Sequence, residues 1–91
     1  MDLIIESHDF KFSIDHYAAS FVHMFISSKI HHTFLTGICH LTKKEIAELI
    51  TYISSHEQDF CNTHTFQYLY DNLISIHMLM RTDEKVKFTF W

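Results

Sequence analysis

Proline is absent from this 91-residue chain, and glycine occurs once. A single glycine cannot form the glycine-rich loops of P-loop and dinucleotide-binding proteins, so both classes are excluded. No apolar run approaches the 18 residues that a membrane-spanning helix needs, and the acidic N-terminus is unlike a signal peptide. We therefore expect a cytoplasmic protein in which Cys39 and Cys61 are reduced thiols.

The composition is typical of one folded domain spanning residues 1–91. Hydrophobic residues make up 47% of the chain and charged residues 20%, which favours a packed core over disorder. The formal net charge is −4, whereas nucleic-acid-binding proteins usually carry a basic field. We expect no direct contact with nucleic acid or membrane. The sequence leaves the oligomeric state open, with a dimer among the alternatives.

Three strands are predicted in the first part of the chain. Residues 10–14 alternate between apolar and polar side chains, as in a half-buried strand. Residues 20–27 are denser in apolar and β-forming side chains, which is typical of a central strand. The apolar run 33–39 predicts a third strand, in which Gly37 marks a bulge or a turn.

The clearest element is an α-helix predicted over residues 43–57. Thr42 and Glu45 have the spacing of a capping box, in which each side chain accepts a hydrogen bond from the other residue's backbone N–H. The helix then carries one apolar stripe, at positions i, i+3, i+4 and i+7: Ile46, Leu49, Ile50 and Ile53. Such a stripe requires an apolar surface to pack against.

The C-terminal part is predicted to be a meander of three strands. Residues 65–70 and 73–80 follow a period of two, with a turn at 71–72, and residues 86–90 alternate in the same way. The lysines around this last strand predict an edge strand protected against pairing with other chains. The fold class is therefore α+β, an antiparallel meander sheet with one main helix, residues 43–57, packed on one face.

Cysteine and histidine side chains form one candidate metal site. Cys39, His40, Cys61 and His64 make up a Cys₂His₂ set, which zinc accepts. Adjacent residues of an extended chain point to opposite faces, so Cys39 and His40 share an ion only if they lie in a turn. We therefore predict no metal or other cofactor, and a small zinc-binding regulatory domain is an alternative.

No catalytic constellation is predicted. Cys61 and His64 meet only if they lie in a loop or a helical turn, and no third residue is placed to orient the histidine as a base. Glu45 and Glu48 lie one helical turn apart, and helix capping already accounts for Glu45. The protein is expected to act through its surface and not as an enzyme.

Binding to another protein is the function that remains. Tyr68 and Tyr70 share one face of their predicted strand with Phe66, which favours either core packing or a tyrosine-rich face that binds a protein. Trp91 is an interface anchor if its side chain is exposed. Glu48 lies on the outer face of the predicted helix and completes the predicted partner-binding set. The net negative charge favours rapid association with a basic partner, such as a nuclease.

Residues 40–91 resemble the WapI-type bacterial immunity proteins. The resemblance lies in a short apolar strand, the helix opening at residues 41–50, and the aromatic C-terminal strand at residues 86–91. It implies a protein that binds and neutralises a cognate toxin, and it transfers no functional residue to this chain. A phage-encoded inhibitor of a defence effector, of the anti-CRISPR type, is the alternative.

Overall fold

The computed structural model describes residues 2–14, 16–30, 37–60 and 62–91. They form a four-stranded antiparallel sheet and three α-helices, which confirms the α+β class. The strands are β1 (Leu3–Glu6), β2 (Lys11–Ile14), β3 (Ile38–Thr42) and β4 (Lys85–Phe90). The helices are α1 (His16–Phe25), α2 (Lys43–Ser55) and α3 (Thr63–Leu79), with a π-helical turn at Ile26–Ile30 and a 3-10 turn at Glu57–Asp59. None of these described helices is long and apolar enough to cross a membrane.

The strands lie in the order β2-β1-β4-β3, and every neighbouring pair is antiparallel. This order differs from a meander, because β4 lies between β1 and β3. The prediction of an edge strand at residues 86–90 is therefore wrong. Lys85 and Lys87 belong to a central strand, in which β4 pairs with β3 on one side and with β1 on the other.

One face of the sheet is apolar and buried. Leu3 and Ile5 of β1 are fully buried, and they pair in register with Phe90 and Phe88 of β4. Side chains alternate between the two faces along a strand, so this register places all four on the same side. The strands add further buried side chains to that side: Ile14, Cys39, Leu41 and Val86.

The helix α2 packs a buried stripe of Ile46, Leu49 and Ile53 into this core. The predicted capping box is confirmed. The Thr42 backbone N–H donates to Glu45 Oε1 over 2.8 Å, and the Glu45 backbone N–H donates to Thr42 Oγ1 over 3.2 Å. The helix ends at Ser55, two residues before the predicted end, and the 3-10 turn follows.

Residues 20–27 lie in α1 and the π-helical turn, which corrects the predicted central strand. Five buried side chains recur at the spacing i, i+1, i+4, i+7 and i+8 of a helical stripe: Ala18, Ala19, Val22, Phe25 and Ile26. The strand prediction gave the β-forming composition more weight than this spacing. The helix covers part of the apolar face that a further strand would have left exposed.

Residues 63–79 form the single helix α3, which corrects the predicted strands at 65–70 and 73–80. The predicted turn residues lie in mid-helix and bond within it. Asp71 Oδ1 accepts from Gln67 Nε2 over 2.7 Å, and Asn72 Nδ2 donates to the Tyr68 carbonyl oxygen over 2.7 Å. The buried residues again have helical spacing: Phe66, Leu69, Leu73 and Ile76.

Gly37 stands immediately before β3. Its φ is 74°, and its carbonyl oxygen accepts from the Phe90 backbone N–H over 2.7 Å. A Cβ at this position would lie 2.7 Å from the Phe90 carbonyl oxygen, so glycine meets both the backbone conformation and the close approach. Of the predicted strand 33–39, residues 33–36 lie outside the described residues, and residues 38–39 belong to β3.

Replacing Thr42 with alanine removes the oxygen that accepts from the Glu45 backbone N–H. We expect the free energy of unfolding to fall by about 1 kcal/mol. Thr51→Ala is the matched control, because Thr51 is exposed within the same helix and its hydroxyl donates to the Ala47 carbonyl oxygen of the preceding turn. Its change is expected to stay within about 0.5 kcal/mol. Urea denaturation followed by circular dichroism measures both, and equal losses would contradict the capping role.

Replacing Gly37 with alanine forces an L-residue into left-handed backbone and brings its Cβ against the Phe90 carbonyl oxygen. We expect a loss of at least about 1–2 kcal/mol from the backbone conformation alone. Gly37→Asn separates the two effects, because asparagine tolerates positive φ but keeps the Cβ. Thermal denaturation of both variants is the measurement. An alanine variant as stable as the parent protein would show that the contact with β4 is not restrictive.

Candidate protein-binding surface

The sheet has an open face opposite its buried side, and no described helix covers it. We define this open face by the alternate side chains of the four strands and of the residue after β4: Ile4, Glu6, Lys11, Ser13, Ile38, His40, Thr42, Lys85, Lys87, Thr89 and Trp91. All of them are exposed or half-buried, whereas their neighbours within β1, β3 and β4 are buried. The alternation in burial thus separates a core side from a solvent side.

Apolar side chains gather at one end of the open face. Ile4 and Ile38 flank Thr89 in register, one on each side of β4. Trp91 lies two residues further along the same strand direction, and its side chain is 61% exposed. Ile38 is 41% exposed. These residues form the apolar patch, which consists of Ile4, Ile38 and Trp91.

The backbone of Trp91 is held in the sheet although its side chain is exposed. The Asp2 N–H donates to the Trp91 carbonyl oxygen over 2.8 Å, and the Trp91 N–H donates to the Asp2 carbonyl oxygen over 3.1 Å. This reciprocal pair continues the β1–β4 ladder by one residue. The indole group is therefore presented to solvent from a fixed backbone. Binding of a partner would have to order only the side-chain rotamers of Trp91.

Charged side chains occupy the other end of the open face. In register across the sheet, Glu6 lies between Lys11 of β2 and Lys87 of β4, and His40 of β3 follows Lys87. Lys85 lies two residues before Lys87 on the same face and is exposed. Among the charged side chains of the open face itself, the three lysines therefore outnumber the single carboxylate of this end, Glu6.

The other predicted partner-binding residues lie in the helical layer and not with Trp91. Glu48 is exposed on α2, where it borders a cleft of about 340 Å³ with Tyr52 and Phe25. Tyr68 is 49% exposed on α3. The four residues predicted for partner binding therefore do not share one surface.

Tyr68 and Tyr70 also differ from each other. Residues two apart on a helix point about 200° apart, whereas the predicted strand would have placed both rings on one face. The Tyr68 ring packs edge-on against Phe12 at a centroid distance of 6.0 Å. The Tyr70 ring is half-buried and stacks on Phe66 at 5.6 Å. Tyr70 therefore supports the core, and only Tyr68 is presented to solvent.

The structure separates the candidate zinc ligands. Cys39 is buried and His40 is exposed, because neighbouring residues of β3 point to opposite faces. They cannot coordinate one ion together. His64 lies exposed in the first turn of α3, and Cys61 falls outside the described residues. Across the part of the chain that the structure describes, no three histidine, cysteine or acidic side chains are grouped as metal ligands.

The chemistry of Cys39 is that of a buried thiol. Burial, with a smaller contribution from the Glu45 carboxylate, raises the pKa of this thiol to about 11. The reactive thiolate is therefore scarce at neutral pH, which disfavours a nucleophilic role. The Glu45 carboxylate is itself committed to the helix cap, whereas Glu48 is exposed on the same helix. The two do not form an acid–base pair in a shared cleft.

A cleft of about 480 Å³ lies between the end of α2 and the start of α3. The described residues that line it include Ser55, Glu57, Gln58, Thr63 and Phe66. Hydroxyl and amide groups dominate this lining, and Ser55 Oγ already donates to the Thr51 carbonyl oxygen over 2.8 Å. The geometry does not assemble a nucleophile, a base and an orienting group among these residues.

The sequence interpretation missed Ile4 and Ile38 as neighbours of Trp91. Their proximity depends on β1 and β3 pairing with the two sides of β4, which is a long-range feature. One local signal was present at β3, where Cys39 and Leu41 alternate with Ile38 and His40. That period of two marks Ile38 as a residue on the side opposite the buried thiol.

Comparison with known proteins identifies no relative that indicates a family or a function for this chain. No family model matches this chain, and no curated protein or solved structure shows significant similarity to it.

We expect Cys39 to resist alkylation in the folded protein. Iodoacetamide at pH 8, followed by mass spectrometry of the peptide that contains Cys39, should show little modification unless urea is present. Because the folded pKa is raised, the neutral thiol stabilises the fold below the ordinary thiol pKa, and this contribution is lost as the pH rises towards 11. The stability of the parent protein should therefore fall relative to Cys39→Ala in that range. Rapid native alkylation at pH 8 would contradict the buried, protonated state.

Proposed function

We propose that this protein is a non-enzymatic cytoplasmic inhibitor that binds another protein through the open face of its sheet, with Trp91 as the anchor. A bacterial toxin neutralised by its immunity protein is the expected type of complex, as the resemblance of residues 40–91 implies. The alternative is a phage inhibitor of a defence effector. The observation that carries the proposal is a tryptophan with a hydrogen-bonded backbone and an exposed side chain.

Tryptophan is the residue type most enriched among those that dominate binding energy, and such residues lie near the centre of an apolar contact. Ile4 and Ile38 flank the strand that presents Trp91, so a partner side chain placed over Thr89 would contact apolar groups on both sides. Leaving these groups in water gains nothing for the fold, because their neighbours along each strand already fill the core. The apolar patch is therefore better explained by binding than by folding.

The sheet also favours a rigid contact. The register of β1, β4 and β3 positions the patch through backbone hydrogen bonds on three strands. A preorganised surface loses less conformational entropy on association than a loop does, which suits a tight stoichiometric inhibitor.

Replacing Trp91 with alanine should abolish most partner binding while the fold persists. The loss of one anchor of about 2 kcal/mol or more corresponds to at least about thirtyfold weaker binding. The measurement is quantitative affinity capture from the native host with N-terminally tagged protein, followed by titration of the captured protein by calorimetry. Ile38→Thr should weaken the same complex to a smaller extent.

Three variants of the helical layer serve as matched controls: Glu48→Lys, Tyr68→Ala and Met78→Ala, all at exposed positions. Each is expected to bind like the parent protein. If these variants lose binding and Trp91→Ala retains it, the contact lies on the helices and the proposal is wrong. A large fall in the thermal midpoint of Trp91→Ala would assign this side chain to the fold. A toxin or a defence effector as the captured protein decides between the two types of inhibitor.

A further inference from the structure

The charge of this protein is divided between its two layers. The net charge is −4, yet residues 45–80 contain five carboxylates and no lysine or arginine. This segment comprises the 3-10 turn, α3 and all of α2 except Lys43 and Lys44, and with these two lysines residues 43–79 carry a net charge of −3. The sheet contributes the opposite sign, because Lys11, Lys85 and Lys87 project from its open face.

The lysines lie beside the apolar patch and not at random on the surface. Lys87 and Thr89 are alternate residues of β4, so the charged row and the row that contains Ile4 and Ile38 are adjacent on one face. Glu6 is the single carboxylate in the charged row, and it lies between Lys11 and Lys87. Asp2 pairs with Trp91 at the far end, so it does not offset the lysines locally.

We propose that the partner surface of the open face is acidic and apolar: a segment that places a large apolar side chain on Trp91 and Asp or Glu carboxylates against Lys85 and Lys87. This inference rests on the proposed function and specifies the partner of the same site. It reverses the expectation from net charge, which favours a basic partner. Charges across an interface act over short distances, so the local lysines decide complementarity at the contact.

The two lysines contribute mainly through selectivity. Exposed ion pairs each contribute little to affinity, so removing two should weaken binding by about fivefold. A basic partner segment would instead face like charges beside the apolar contact, which costs affinity. The open face thus selects carboxylates by excluding ammonium groups as well as by attracting the opposite charge.

The test uses a phage-displayed library of random 12-residue peptides, selected on the immobilised full-length protein. Peptides that also bind Trp91→Ala are discarded, so that the remaining peptides report on the open face. The expected set combines a large apolar residue with an excess of Asp and Glu over Lys and Arg. Synthetic peptides from this set should bind more weakly at 0.5 M than at 0.05 M NaCl.

The variant Lys85→Gln/Lys87→Gln then tests the named side chains. Its binding to the selected peptides should be about fivefold weaker. Lys44→Gln/Arg81→Gln is the matched control, because it lowers the net charge equally at two exposed positions outside the open face. Lys43 is left unchanged, since its Nζ donates to the Met80 carbonyl oxygen over 3.0 Å. Circular dichroism checks that both double variants fold.

The outcomes distinguish a failure of the acidic-partner proposal from a failure of the proposed function. Trp91-dependent peptides that are basic or neutral, or that bind the two double variants equally, would overturn the acidic partner and leave the open face as the binding site. A library that yields only peptides insensitive to Trp91→Ala would contradict the proposed function and this inference together. Acidic, Trp91-dependent peptides that lose affinity only with Lys85→Gln/Lys87→Gln support both.

Discussion

The register between β1 and β4 is the constraint on which both faces of this protein depend. Leu3 lies opposite Phe90 and Ile5 opposite Phe88, so the two ends of the described chain supply the centre of the core. A shift of β4 by one residue relative to β1 would turn Lys85 and Lys87 inward and expose Phe88 and Phe90. The same register that buries four apolar side chains therefore presents Trp91, Ile4 and the lysines to solvent. Core and binding surface are two results of one pairing.

Local signals predicted the elements that have local causes. The capping box at Thr42 and the stripe of α2 lie within a few residues of each other, and the alternation at residues 86–90 is unambiguous. Residues 66–76 satisfy two periods at once, because Phe66, Tyr68 and Tyr70 fit a strand while Phe66, Leu69 and Leu73 fit a helix. Only tertiary context decides between them. A four-stranded sheet with one apolar face needs helices to cover it, and one helix of 13 residues is too small for that face.

The candidate site was predictable only in part for the same reason. The exposure of Trp91 follows directly from alternation with the buried Phe90, and it meets the condition on which the prediction of an anchor depends. Ile4 and Ile38 are separated from it by most of the chain, so their meeting depends on the strand order. The predicted strand places Tyr70 on the same face as Tyr68, whereas the helix turns its ring towards Phe66. When a helix is predicted as a strand, the prediction therefore also places the wrong side chains together on one face.

Net charge and contact charge act over different ranges in this molecule. Packed layers lie about 10 Å apart, which exceeds the Debye length of about 8 Å at physiological ionic strength. The carboxylates of the helical layer are therefore largely screened from a partner that sits on the open face. They influence solubility and the approach at low salt, whereas Lys85 and Lys87 act on the groups they touch. A protein that is acidic as a whole can present a locally basic apolar face. The alternation along a strand decides which side chains face the solvent, and it does so whatever the charge of those side chains.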